Sequence, residues 1–227
     1  MILVGIPALN ESKNIGKVVR GCLPYVDKVL VIDDGSRDDT AKVAFEAGAT
    51  VISHPQNMGM GASENTILCF ATDCMKDGDI LITLDGDGQH FPEDIPKAVA
   101  KLNEGFDVVS GSRLVHKGVP GIQPYRRVLN GAATYVTRVF SGYRLTDSQS
   151  GFKAYRFWVV RRMKLESDDM AWCSESFIRL GAMRARLAEI PIRTVWTPPS
   201  WGRRRPGLWN GIRVFKRLLW IWLKSAS

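Results

Sequence analysis

The chain has 227 residues, 45% of them hydrophobic and 24% charged, with a formal net charge of +8. That size and balance suit one large globular domain with a short appendage and exclude a disordered or fibrous chain. The four cysteines show no CxxC spacing, which argues against a zinc site, and the longest apolar run, Leu218 to Leu223, is far too short to span a bilayer.

Short β-branched runs alternate with amphipathic segments through the first half, the pattern of βαβ units on a mostly parallel sheet with helices on both faces. Met1 runs straight into Ile2-Leu3-Val4, which reads as a first strand rather than a signal peptide. Strands are predicted over residues 2–6, 29–32, 50–53, 80–84 and 107–110, with helices over 15–23, 40–47, 62–75 and 95–103 between them. Cys69 and Cys74 fall in the third helix and are predicted as core thiols. Pro92, Glu93 and Asp94 suit the positive start of the fourth.

Beyond Arg113 the pattern predicts a helix over 124–140, strands over 150–155 and 187–192, and a helix over 174–184 with Glu175 at its start. A Pro/Gly/Arg-rich loop over 197–207 leads into a last helix over 208–224. That helix sets Trp209, Ile212, Phe215, Leu219, Trp220 and Leu223 among Arg213, Lys216, Arg217 and Lys224. Aromatic, apolar and basic residues at helical spacing describe a helix lying in a membrane interface, against the alternative of a helix packed on the domain. The predicted division is one domain over 1–200 and a basic loop with an amphipathic helix over 201–227.

The charge is uneven. Arg126, Arg127, Arg138, Arg144, Arg156, Arg161, Arg162, Arg203, Arg204, Arg205, Arg213 and Arg217 all lie in the second half, while the loops of the first hundred residues are rich in acid. A basic face of this kind meets anionic lipid, phosphate or nucleic acid; a solvated face is the alternative. No nucleic-acid-binding motif accompanies it, so nucleic acid is not an expected partner.

Chemistry-bearing residues gather where strands end, which is where open α/β sheets bind ligands. Pro7-Ala8-Leu9-Asn10-Glu11 follows the first strand and Asp33-Asp34-Gly35-Ser36 ends the second. Asn57-Met58-Gly59-Met60-Gly61 follows the third and Asp85-Gly86-Asp87-Gly88-Gln89-His90 the fourth. Two carboxylates one residue apart on a glycine-rich turn make half of a site for a hard divalent cation that keeps positions open for phosphate oxygens. A calcium loop is excluded, because its sixth position is His90 and its twelfth Pro96. No Gly-Lys-Ser/Thr exists, and Gly59–Glu64 fails the dinucleotide fingerprint. His54, His90 and His116 lack metal-pair spacing and read as surface or hydrogen-bonded histidines.

Taken in order, these motifs followed by Gly111-Ser112-Arg113 resemble family 2 glycosyltransferases of the GT-A fold. Asp147-Ser148-Gln149-Ser150-Gly151-Phe152-Lys153-Ala154-Tyr155 narrows the resemblance to the polyprenyl-phosphate branch, typified by dolichol-phosphate mannose synthase. It covers roughly residues 2 to 195 and implies an α/β, Rossmann-like nucleotide-diphospho-sugar transferase.

Residue by residue, the resemblance implies that Pro7, Leu9, Glu11, Asp33 and Asp34 hold the nucleotide base and ribose. Asp85, Gly86 and Asp87 form the Asp-x-Asp turn, with Asp87 and Gln89 on Mg²⁺ or Mn²⁺ and Asp85 near the sugar or ribose. Arg113 is expected to reach the donor phosphates or the sugar. Arg127, with Arg126 as the alternative, is expected on the acceptor phosphate, and one of Arg203, Arg204 and Arg205 over the reacting phosphates. Leu9 stands where an aromatic is common.

The implied partners are a nucleotide-diphosphate sugar, a polyprenyl phosphate, the cytosolic face of a membrane and a small membrane partner subunit. A hydroxyl acceptor would require a general base, with Asp147 or Glu175 as candidates, Asp147 having an Asx-type turn as its other reading. A phosphate acceptor, with a second pKa of about 6, is largely a dianion at neutral pH and requires none. The alternatives are therefore a family 2 transferase acting on a soluble or polysaccharide hydroxyl, and a non-catalytic membrane adaptor. The sugar stays open among guanosine-linked mannose and uridine-linked glucose or N-acetylhexosamine, with the Asp-Gly-Asp-Gly-Gln-His form slightly closer to the uridine-linked relatives.

Overall fold

A computed structural model describes residues 1–114, 124–195 and 208–226, without the side chains of 124–127, 208–213 and 225–226. Its strands are β1 (Ile2–Ala8), β2 (Lys28–Asp33), β3 (Thr50–Ser53), β4 (Ile80–Thr83), β5 (Val108–Ser112), β6 (Lys153–Arg156) and β7 (Leu187–Pro191). The helices are α1 (Ile15–Cys22), α2 (Thr40–Glu46), α3 (Met60–Cys74), α4 (Ile95–Asn103), α5 (Pro124–Ser141), α6 (Phe157–Arg162), α7 (Trp172–Ala182) and α8 (Leu208–Ala226).

Among the described residues the strands form one sheet in the order β3-β2-β1-β4-β6-β5-β7. All neighbours run parallel except β6, which lies antiparallel to both β4 and β5. Successive side chains of a strand point to opposite faces, and β2 divides accordingly. Val29 and Val31 join α1, α2 and α4 in one core, whereas Leu30 and Ile32 join α3, α6 and α7 in the other. A sheet buried on both faces requires near-continuous apolar strands, which is what β1, β2 and β4 contain. Each fully buried Val, Leu or Ile contributes roughly 1.5–3 kcal/mol of transfer free energy.

The structure differs from the sequence expectations in a few places. Helix α6 was not anticipated; its six residues are too few to show a helical period, and Phe157, Val159 and Val160 hold it to the second core. Cys69 and Cys74 are exposed rather than core thiols. Helix α3 buries Glu64, Ile67, Leu68 and Ala71, three to four residues apart, and this turns residues 69 and 74 outward. The buried thiols are Cys22 and Cys173.

Helix α8 packs on α7 and α5. Leu218 (3% exposed) and Ile221 (1%) cluster with Ala171 and Ile178, and the Phe140 ring lies 5.9 Å from Phe215 and 5.7 Å from Trp222. The opposite side of α8 leaves Trp220 (48%) and Leu223 (55%) in the open. The packed reading of this helix describes the side that carries Leu218 and Ile221.

Candidate active site

The carboxyl ends of β1, β2 and β4 converge. The N–H of Asp34 donates to the Ala8 carbonyl (2.9 Å) and that of Gly86 to the Pro7 carbonyl (3.3 Å). The Asp85-Gly86-Asp87 turn is thereby held beside Pro7, with Leu9 half-buried just beyond. Asn10 adopts a left-handed backbone (φ 55°), which asparagine tolerates. Its Oδ1 accepts from the Arg37 N–H and its own N–H donates to Ser36 Oγ (both 2.8 Å), tying the two loops together. Glu11 is buried and accepts from Asn14 Nδ2 (2.9 Å).

Asp33 and Asp34 have different surroundings. Asp33 Oδ1 accepts only a long bond from the Ser36 N–H (3.2 Å). Both oxygens of Asp34 are committed: Oδ1 to the Met58 N–H and His54 Nδ1, Oδ2 to the Gly59 N–H. Asp34 thus fastens the Asn57–Gly61 loop to the end of β2, and Asp33 retains the freer carboxylate. The loop is closed from the other side by the Gly61 N–H donating to the Asp168 carbonyl (2.9 Å). A Cβ at Gly61 would lie 1.8 Å from the Ser167 carbonyl, so only glycine admits this approach.

At the turn itself, Asp87 Oδ1 accepts the Gln89 N–H (2.9 Å), and Asp85 Oδ2 lies 3.1 Å from His90 Nε2. His90 is buried, and His54 is bonded to Asp34 and Thr66, so both are hydrogen-bonded histidines as their sequence context suggests. His116 lies outside the described residues. The two carboxyls titrate apart. Burial would raise Asp85, but the hydrogen bond and charge of His90, with Arg113 and Lys153, hold it below the ordinary value. Burial and then the neighbouring Asp85 charge push Asp87 up to about 6.

This donor set fits a divalent cation. Among the described residues no cluster of three or more His, Cys, Asp or Glu exists to cage a metal outright. The half-buried Asp87 carboxylate is an oxygen donor of the kind Mg²⁺ or Mn²⁺ takes together with phosphate oxygens. The raised Asp87 carboxyl marks a place where a positive charge would relieve repulsion. Since a proton and a cation compete there, metal-dependent binding of uridine or guanosine diphosphate is expected to be flat above pH 7. It should fall about tenfold per unit below pH 6, which titration calorimetry with Mn²⁺ from pH 5 to 8 would measure.

Arg113, at the end of β5, makes a forked pair with Asp147: Nε to Oδ2 at 2.6 Å and Nη2 to Oδ1 at 2.9 Å. Its Nη1 has no protein partner among the described residues, which leaves it for an oxyanion. Asp147 also accepts the Gln149 N–H (3.0 Å), the Asx-type turn, and Glu189 holds the Thr146 and Asp147 N–H groups. Glu175 is fully buried and accepts from the Glu166 and Ser167 N–H groups and Arg179 Nε. Each of the two carboxylates has an arginine partner and backbone N–H donors.

The backbone of Arg126 and Arg127 belongs to α5, but their side chains lie outside the described residues, as do Arg203, Arg204 and Arg205. Sequence reasoning gave no role to Asn10, Glu189 or Lys153. The quoted motifs contain Asn10 and Lys153; nothing local marks Glu189.

Residues 3–167 match the glycosyl transferase family 2 profile. The chain belongs to glycosyl transferase family 2. This family 2 glycosyltransferase is 31% identical over 243 residues to a UDP-N-acetylglucosamine–dolichyl-phosphate N-acetylglucosaminyltransferase of Methanococcus voltae, covering 97% of this chain and 96% of that one. It is 30% identical over 204 residues to the polyprenol monophosphomannose synthase of Mycolicibacterium smegmatis, covering 84% and 76%. Among solved structures, glucosyl-3-phosphoglycerate synthase of Mycobacterium tuberculosis with Mn²⁺, UDP-glucose and phosphoglyceric acid superposes with a TM-score of 0.69. That match covers 99% of this chain and 79% of the other at 21% identity, a likeness of fold. The α/β, GT-A architecture expected from the motif order is the one observed.

Proposed function

We propose that this glycosyltransferase moves a hexose from a nucleotide-diphosphate sugar to a polyprenyl phosphate, with inversion at the sugar carbon, at a membrane surface. The observation that carries the reading is the commitment of Asp147 to Arg113 and of Glu175 to Arg179 and two backbone N–H groups. With both of these carboxylates engaged by arginines, an acceptor that arrives already ionised, as a phosphate monoester does, suits the site best. The relatives that act on dolichyl and polyprenyl phosphates agree with that choice.

In this reading Pro7, Leu9, Glu11 and Asp33 line the nucleotide, and Asp85 faces the sugar or ribose. Asp87 and Gln89 hold Mg²⁺ or Mn²⁺, which when bound neutralises the departing diphosphate as a Lewis acid. Arg113 offers its unused N–H groups to phosphate or sugar oxygens, held in place by Asp147. A phosphate oxygen of the acceptor forms the new bond to the anomeric carbon as the bond to the diphosphate breaks. Positioning of the two anions by arginines then supplies most of the rate. Arg126, Arg127 and one of Arg203, Arg204 and Arg205 are assigned to the acceptor and reacting phosphates.

Among the described residues no helix is long and apolar enough to cross a membrane. The outer sides of α5 and α8 instead expose Val128, Tyr135, Val139, Phe215, Trp220, Trp222 and Leu223, with Lys216 and Lys224 alongside. Such a face suits an interfacial position on anionic lipid. The test offers UDP-N-acetylglucosamine, UDP-glucose and GDP-mannose to the purified enzyme with a long polyprenyl phosphate in vesicles, a short water-soluble polyprenyl phosphate and a free sugar. Transfer to both lipid phosphates and none to the sugar is expected; transfer to the sugar hydroxyl would overturn the reading. The Trp220→Ser/Leu223→Ser variant should lose about tenfold or more of its turnover in vesicles and keep that on the short lipid.

A further inference from the structure

We propose that Lys153 is a positioning residue for Asp85: a buried side chain that holds the Ser150–Gly151 turn against the Asp85 carboxylate. Lys153 is the first residue of β6, paired across the sheet with Thr83 at the end of β4. It is 0% exposed, an extreme position for a lysine. Its Nζ donates to the Ser150 carbonyl (3.0 Å) and lies over the rings of Trp172 (4.3 Å) and Phe177 (5.3 Å).

The same turn is fixed at its next residue, where Thr83 Oγ1 donates to the Gly151 carbonyl (2.9 Å). Gly151 then sits directly on Asp85: a Cβ there would lie 2.3 Å from Asp85 Oδ1. Lys153, Ser150, Gly151 and Asp85 therefore form one continuous packing line ending at a carboxylate two residues from Asp87. The other acid close to this ammonium, Glu64, has its carboxyl pushed by burial to about 8, against the pull of Lys153. At Asp85 the Lys153 charge adds to those of His90, whose Nε2 lies 3.1 Å from Oδ2, and of Arg113.

A purely structural lysine makes the opposite forecast. Buried charges are commonly neutral or unfavourable for stability compared with apolar residues of similar volume. Asp85 is half-buried and keeps His90 Nε2 at 3.1 Å, so the loss of Lys153 does not strand it and should damage the site more than the fold.

The inference rests on the proposed function only for its substrates. Turnover is therefore measured both as transfer to a polyprenyl phosphate and as hydrolysis of the nucleotide sugar by water, which requires no acceptor. A wild type that hydrolyses the donor without transferring it defeats the acceptor assignment and leaves the Lys153 comparison intact. Lys153→Met is expected to melt within a few degrees of wild type and to bind nucleoside diphosphate within about threefold. Its kcat should drop on the order of 10²-fold, the cost of misplacing a reacting group by about 1 Å.

Gly151→Ala, which pushes on Asp85 from the other end of the same line, should lower kcat similarly. The double variant should be no slower than the slower single one, because both act through one carboxylate. Turnover of Lys153→Met within threefold of wild type overturns the proposal, as do losses that multiply in the double variant. Should Lys153→Met fail to fold, Gly151→Ala decides alone: unchanged kcat sinks the idea.

Discussion

Replacing Asp87 by alanine is expected to lower turnover by about 10²–10³-fold while the protein melts at or slightly above the wild-type temperature. The first effect follows from losing the carboxylate that would anchor the cation: Lewis-acid neutralisation of a departing diphosphate supplies several kcal/mol, at 1.36 kcal/mol per factor of ten. The second follows from the electrostatics of the turn. Asp87 is half-buried beside Asp85 and its carboxyl is pushed to about 6, so ionising it at neutral pH works against the folded state. A residue whose removal relieves the fold while abolishing the reaction is one kept for its chemistry. Nucleoside diphosphate binding to the variant should become indifferent to Mn²⁺. Turnover within tenfold of wild type would contradict the metal assignment.

The Arg113–Asp147 pair should show the reverse pattern, stability and activity falling together. Both side chains are largely out of water and joined by a fork of bonds at 2.6 and 2.9 Å. Arg113→Met leaves Asp147 as a buried, unpaired carboxylate, a change that costs about 3–5 kcal/mol. For a domain of this size that is a drop on the order of 10 °C in melting temperature. The double variant Arg113→Met/Asp147→Asn removes the stranded charge and is expected to regain most of the stability and none of the activity, since the phosphate-facing N–H groups remain absent.

The pair also predicts a pH dependence. Burial would raise the Asp147 carboxyl, yet the hydrogen bond and charge of Arg113 hold it below the ordinary value. A depressed acid contributes stability that is present above its unfolded pKa of about 3.9. That stability is lost as pH falls through the lower, folded value. Wild type should therefore lose stability more steeply on acidification below pH 4 than the double variant does. Equal acid profiles in urea melts would show that the pair contributes nothing to folding.

The two carboxylates weighed as general bases show how far local pattern reaches. Asp147 in its Asp-Ser-Gln-Ser-Gly context supports either a base or an Asx-type turn, and the sequence cannot separate them, because the deciding partner, Arg113, lies 34 residues away. Glu175 reads as a helix-start acid, and in the fold its oxygens are taken by the N–H groups of residues 166 and 167 and by Arg179. Asp33 and Asp34 look equivalent side by side. A strand aims adjacent side chains at opposite faces, and only the return of the 57–61 loop assigns one of them to holding that loop.

The sequence by itself determined most of the elements, though not α6, and the family. Apolar runs of β-branched residues, glycine-rich polar strand ends and their order along the chain are local or sequential properties, and they specified the α/β architecture, the Asp85-Gly86-Asp87 turn and the resemblance to family 2 transferases. Tertiary structure decided what depends on contacts between distant segments. It inserted β6 antiparallel between β4 and β5, buried Lys153 beside the Ser150–Gly151 turn, gave Asp147 and Glu175 their arginine partners, and turned one side of α8 onto the domain. The physical reason is the same in each case: hydrogen bonds and buried charges are satisfied by whichever group the fold brings within about 3 Å, and that distance is not written in the spacing of the residues.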